Sequence, residues 1–177
     1  MHCTINWLPE TGMAFSAETG SGHLLTMDGA PDGGGRNLAP RPMETLLAGA
    51  GGCTAYDVVL ILKRGRHDVK GCQVKATAER ASEDPKVFTK LHLHFIVTGR
   101  GVPATAVERA IALSHEKYCS ATVMLGKTAE VTTSFDVVDI DHGTAQKALW
   151  VVAAVFRGPV VEGPEAGPTQ FVVLDAK

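Results

Sequence analysis

The stretch from Pro42 to Arg64 constrains this chain more than any other. It is apolar at nearly every position, carries Gly49, Gly51 and Gly52 in its middle, and stops at Lys63-Arg64-Gly65-Arg66. Pro42 suits a first helical turn because its missing N–H is one that a helix start leaves unpaired anyway. Glu44 follows in that turn, at the end of the helix dipole that favours a carboxylate. The sequence therefore predicts one helix, running through Leu46, Leu47, Ala50, Cys53, Val58, Leu60 and Ile61. A helix with apolar residues all round predicts burial on most sides rather than along one stripe. Each glycine weakens it by about 1 kcal/mol relative to alanine. That loss makes sense if another backbone packs close there, or if the helix kinks just before Cys53.

The segments around this helix read as strands. Residues 3 to 8, 13 to 17 and 23 to 27 are short runs separated by Pro9-Gly12 and Gly20-Ser21-Gly22 and closed by Asp28-Gly29, which predicts an antiparallel meander. Residues 28 to 41, rich in Gly and Pro, predict a loop. Residues 72 to 80 and 87 to 98 alternate, with Leu91, Leu93 and Phe95 on one face and His92 and His94 on the other; Asp84-Pro85 marks the turn between them. Pro103 opens a second helix with Val107, Ile111, His115 and Tyr118 at helical spacing, and a short segment from Cys119 to Leu125 follows. Residues 129 to 138 alternate as a last strand.

A chain of 177 residues is the size of one ordinary domain. The predicted unit is α+β and covers 1–139. Beyond Asp139 the texture changes: a short helix is expected within 142–156, then a Gly/Pro-rich stretch, then Phe171-Val172-Val173-Leu174. Residues 140–177 read as a C-terminal appendage. The net charge of −2 argues against a nucleic-acid partner or an anionic membrane surface. No uninterrupted apolar run approaches a membrane span, and Met1-His2-Cys3-Thr4-Ile5-Asn6-Trp7 lacks the features of a signal peptide. The expected location is cytoplasmic, where thiols stay reduced unless they have a redox or nucleophilic task.

Four cysteines, Cys3, Cys53, Cys72 and Cys119, form no C-x-x-C pair, so zinc-finger spacing is absent. Cys53 follows two glycines within the central helix and is either a small core residue or a thiol given space to react. Cys119 stands at a helix start, where unpaired N–H groups lower a thiol's pKa. Together they read as an attacking and a resolving thiol, although spacing alone does not bring them together. Glu44 lies two and a half turns before Cys53 on a straight helix, on the opposite face, and is either a site carboxylate or a plain helix-start residue. Arg36 and Arg41 flank the same start and either bind an anion there or are solvated loop charges. His92 and His94 have a spacing that can hold a metal, but the sequence places no third ligand; exposed-face histidines and no metal are expected. Gly33-Gly34-Gly35 has the composition of a phosphate loop without its following Lys-Ser/Thr.

Pro42-Met43-Glu44-Thr45-Leu46-Leu47-Ala48-Gly49-Ala50-Gly51-Gly52-Cys53-Thr54 resembles the core signature of the OsmC/Ohr family of small thiol-dependent peroxidases, and Glu116-Lys117-Tyr118-Cys119-Ser120 resembles its second cysteine motif. With residues 57–66 and 91–100 added, the chain looks like the YhfA-like branch over about 1–138. The resemblance implies antiparallel sheets wrapped around central helices in an intertwined homodimer with two composite active sites. It implies that Cys53 attacks the O–O bond of a hydroperoxide substrate, that its sulfenic acid is resolved by Cys119 to a disulfide, and that a dithiol reductant resets the pair without a cofactor. The family also carries an arginine and a glutamate that activate the thiolate. The arginine's turn reads Glu18-Thr19-Gly20-Ser21-Gly22-His23 here, leaving Arg36 or Arg41 as substitutes, and the glutamate's position falls on Met43 with Glu44 one step on. A second reading follows from the missing arginine: a non-catalytic protein of the same scaffold that binds a small molecule or thiol ligand, or senses redox state.

Overall fold

A computed structural model of the chain describes residues 1–140. Strands β1 (Cys3–Leu8), β2 (Ala14–Thr19) and β3 (Leu24–Asp28) form the expected antiparallel meander, with Trp7 opposite Phe15 and Phe15 opposite Met27. Helix α1 (Pro42–Arg64) is continuous, followed by β4 (Asp68–Arg80) and β5 (Phe88–Arg100). Helix α2 (Ala104–Leu113), one π turn (Ser114–Tyr118), helix α3 (Ser120–Leu125) and strand β6 (Glu130–Asp139) complete the order. The fold is α+β with two three-stranded sheets, β1-β2-β3 and β4-β5-β6. The short helix expected within 142–156 lies outside the described residues, as does all of the appendage except Ile140.

Three expectations need correction. The second sheet is not wholly antiparallel: β4 and β5 are, but β6 runs parallel to β5, with Phe95 opposite Phe135. Parallel neighbours need a long crossover, and the segment with α2 and α3 supplies it. Second, α2 does not continue at helical spacing to Tyr118. Cys119 N–H donates to the Ser114 carbonyl at 2.8 Å, a bond spanning five residues that widens the chain into one π turn and shifts His115 and Tyr118 out of phase. Third, α1 is long and apolar enough to cross a membrane, although the sequence shows no unbroken apolar run of that length. Here it is a packing helix. Ala50, Gly51, Thr54, Val58 and Leu62 are its buried face.

The core lies between that face, α2 and the second sheet. On β5 the alternation puts Leu91, Leu93, Phe95 and Val97 inward against Val58, Leu62, Val107 and Ile111. Each such side chain stabilises the fold by about 1.5–3 kcal/mol, so α1 is held rigidly along this face. Its other face is open: Gly49 and Gly52 have no described atom within 4 Å of where a Cβ would sit, whereas a Cβ on Gly51, on the buried face, would touch Val74 at 3.9 Å and Ala76 at 4.0 Å. Among the described residues, then, no second backbone packs against the glycines, and α1 runs unbroken through Cys53.

The loop before α1 is tied by one carboxylate. Fully buried Asp28 accepts hydrogen bonds from the backbone N–H groups of Gly29 (2.7 Å), Arg36 (3.0 Å) and Leu38 (2.9 Å). The Leu38 bond foremost, with those of Arg36 and Gly29 and the Arg36 charge, holds its carboxyl below the usual range despite burial. A side chain at Gly35 would strike the Gly29 carbonyl, 1.9 Å from its Cβ position, so Gly35 serves the close packing of this loop.

Candidate functional site

Cys53 and Cys119 meet. Cys53 projects from the middle of α1, and Cys119 caps α3 immediately after the π turn, so the packing of α2 and α3 on α1 carries the second thiol to the first. The Cys119 side chain lies close enough to the Cys53 thiol to act on its ionisation, and both are free thiols. Their exposure differs. Cys53 is half-buried and Cys119 is completely buried behind it. Cys3 is exposed on β1 and Cys72 half-buried on β4.

The sequence assigns the stabilising helix-start amides to Cys119; in the structure Ala121, in the first turn of α3, offers its N–H to Cys53 instead. This pull toward thiolate is outweighed. Burial pushes the Cys53 thiol up, the Cys119 side chain adds to it, and the charges of ionised Cys119 and Asp57 act in the same direction. No cation among the described residues contributes to lowering it.

Beneath the thiols lies a polar cluster that the sequence reading missed. Thr54 and Asp57, on α1, both reach Ser114, the first residue of the π turn. Ser114 Oγ donates to Asp57 Oδ2 at 3.0 Å, and Thr54 Oγ1 lies 2.9 Å from Ser114 Oγ, 60 positions away in sequence. Because the single Ser114 proton is directed to Asp57, Thr54 is the donor in its own bond with Ser114. Thr54 and Ser114 are buried. A carboxylate at position 57, one turn after Cys53 and the one charged residue between Glu44 and Lys63, was the available signal.

The other predicted residues stand elsewhere. Glu44 Oε2 accepts the Arg41 N–H at 2.9 Å and so closes the α1 N-terminus as a cap. Nine residues at 1.5 Å each put it about 13 Å from Cys53 along the helix axis. Arg41 and Glu44 share a cleft with Met43, Leu47, Arg80 and Phe88; Arg36 and Cys53 do not line it. Arg36 lies instead beside the Gly12 turn. On the outer face of the second sheet, His92 bonds Thr132 and Ser134, each at 2.8 Å, and His94 bonds Ser134 at 2.8 Å and Asp136 at 3.2 Å. Every ring nitrogen of the pair is thus engaged by protein groups.

The family model described as OsmC-like protein matches residues 33–134. Protein YhfA of Escherichia coli strain K12 is 49% identical over 138 residues, which cover 78% of this chain and 98% of that protein. Among solved structures, a hypothetical protein from Aquifex aeolicus VF5 is 27% identical with a TM-score of 0.68, covering 79% of this chain and 97% of that one. An OsmC-like protein from Mycoplasma pneumoniae has the same fold at 15% identity, with a TM-score of 0.65 over 77% of this chain and 96% of that one.

Proposed function

The chain belongs to the OsmC-like protein family, and from that membership and its paired thiols we propose that it is a cysteine-based peroxidase acting in oxidative-stress defence. Cys53 sulfur attacks the O–O bond of an organic or inorganic hydroperoxide. The bond breaks, the distal oxygen stays on sulfur as a sulfenic acid, and the other leaves as alcohol or water after taking a proton. The Cys119 sulfur then attacks the sulfenic sulfur, expelling water and forming the disulfide. A dithiol reductant in the cytoplasm returns two electrons and two protons. The observation that carries this reading is the contact between an accessible Cys53 and a buried Cys119.

The working form is a homodimer. α1 is apolar all round but covered on one face, and the meander leaves Ile5, Trp7 and Leu24 exposed. Two apolar surfaces of this extent on one chain support a second copy as their cover.

One equivalent of tert-butyl hydroperoxide or H₂O₂ is expected to join Cys53 to Cys119 within one chain, leaving Cys3 and Cys72 reduced, as peptide mass mapping reads. Cys119→Ser is expected to hold the sulfenic acid on Cys53, and Cys53→Ser to end peroxide consumption. A Cys53 that stays a free thiol while peroxide is unconsumed refutes the peroxidase. The same scaffold is then a redox-sensing or thiol-ligand binding protein, a reading favoured by the raised thiol and, among the described residues, by the absence of a cation that lowers it.

A further inference from the structure

Ser114 makes three contacts that tie both thiols to one point. Its hydroxyl donates to Asp57 and receives Thr54, the neighbour of Cys53; its carbonyl receives the N–H of Cys119 at 2.8 Å. Cys53 and Cys119 sit on different elements, and the apolar packing of α2 against α1 is non-directional. The hydrogen bonds at Ser114 are directional, and they act at the residues on which the two sulfurs depend. The π turn has a reason in this arrangement. An ordinary α turn would bring the N–H of residue 118 to the Ser114 carbonyl; the extra residue brings that of Cys119 instead.

We propose that Ser114, anchored by Asp57 and Thr54, is the positioning residue that holds Cys119 in register with Cys53 for disulfide formation. The proposal rests on the pairing of these two thiols put forward above, and deepens it by naming what sets their separation. The groups involved are one buried hydroxyl, one half-buried carboxylate and a second buried hydroxyl, all mutually satisfied. Loss of the Ser114 hydroxyl leaves Thr54 without its acceptor and Asp57 without its donor, and frees the π turn to relax away from α1. Misplacement of reacting atoms by even a fraction of an ångström weakens the intramolecular advantage of one thiol over another.

The test is a redox titration of the full chain in glutathione buffers at neutral pH. Two thiols and one oxidised glutathione give the protein disulfide and two reduced glutathiones, so the equilibrium constant reports how well the pair is placed, without any peroxide. Ser114→Ala is expected to disfavour the Cys53–Cys119 disulfide about tenfold, a rise in potential of about 30 mV. Asp57→Ala removes the anchor and is expected to do the same. Asp57→Asn keeps an oxygen that accepts the Ser114 proton and is expected to restore a potential close to that of the parent chain. A purely structural role for Asp57 would not distinguish Ala from Asn in this way. If Ser114→Ala does not melt cooperatively, the Asp57 pair decides alone. A parent-like potential in Ser114→Ala or in Asp57→Ala, in whichever folds, overturns the proposal, as does an Asp57→Asn that shifts as far as Asp57→Ala. A parent chain that forms the disulfide in glutathione yet consumes no peroxide removes the peroxidase and leaves the clamp standing. A parent chain that forms no such disulfide removes both.

Discussion

Tyr56 projects from the open face of α1 and is 68% exposed. It lies with Gly52, Ala55, Val59, Leu60, Lys63 and Cys72 around a shallow groove. In one chain most of this side chain meets solvent. In a dimer closed across this face it is buried twice. A tyrosine carries about 200 Å² of surface, so the exposed share is on the order of 140 Å². At about 25 cal/mol per Å², covering it contributes about 3.5 kcal/mol per copy and about 7 kcal/mol for a symmetric pair. Tyr56→Ala removes most of that while leaving the single chain intact, because alanine is the best helix former. The dimer dissociation constant is then expected to rise by about four powers of ten, at 1.4 kcal/mol for each, with no loss of helix signal. Sedimentation velocity from nanomolar to micromolar concentration measures it. The reasoning fails if parent and variant share one dissociation constant, or if the parent chain sediments as a folded monomer at micromolar concentration.

Three further outcomes are expected. Phe95 is fully buried between Val74 and Phe135 in the second sheet, so Phe95→Ala should destabilise by about 3–5 kcal/mol in urea unfolding. Burial pushes the Cys72 thiol up, and the same holds first of all for Cys53. A raised value in the folded state means that the fold favours the neutral thiol. That contribution is complete below the unfolded thiol's value of about 8.5 and is lost as pH rises through the raised one; melting temperatures should fall on the alkaline side, less steeply in Cys72→Ala. Asp57 charge acts on Cys53 in the same upward direction, so Asp57→Asn should move the pH midpoint of Cys53 alkylation by iodoacetamide downward; an unmoved midpoint refutes that electrostatic link.

The parts of the fold that were legible in the sequence are those whose signal is local. Period-two alternation from Leu91 to Val97 needs only neighbouring residues to be read, and so does the apolar run from Pro42. Strand direction is different: alternation is the same read either way, so Val131 to Val137 gave no sign that β6 lies parallel to β5. The π turn was hidden because one added residue breaks the spacing only after Ser114, where the pattern was already ending. Cys53 and Cys119 were visible as candidates, and their meeting came from the family resemblance, since contact across the crossover has no local mark. Ser114 looked like one more polar residue between helices. Its meaning depends on Thr54 and Asp57, which only packing brings to it.

On the proposed thiol chemistry, the difference in burial between the two thiols sets the order of events at this site. Cys119 is sealed from solvent, so a peroxide, a disulfide or an electrophile arriving from outside meets Cys53 first. Cys119 then reacts with what Cys53 has become. On that proposal every oxidant whose adduct leaves a good leaving group on the Cys53 sulfur converges on one product, the Cys53–Cys119 disulfide, and detection of that bond does not by itself separate a peroxidase from a sensor. The thiol chemistry points the same way. Burial and Asp57 favour the neutral thiol at rest, while the Ala121 N–H stands ready to stabilise the small fraction that ionises. Such a thiol reacts slowly with weak oxidants and is spared idle oxidation, which suits either role. What distinguishes them is the return step. A peroxidase must have its disulfide reached by a reductant, and with Cys119 buried the exchange has to begin at the Cys53 sulfur. Counting the moles of hydroperoxide consumed per mole of chain with a small dithiol present is thus the decisive measurement: many turnovers mean a peroxidase, and a single equivalent means a sensor.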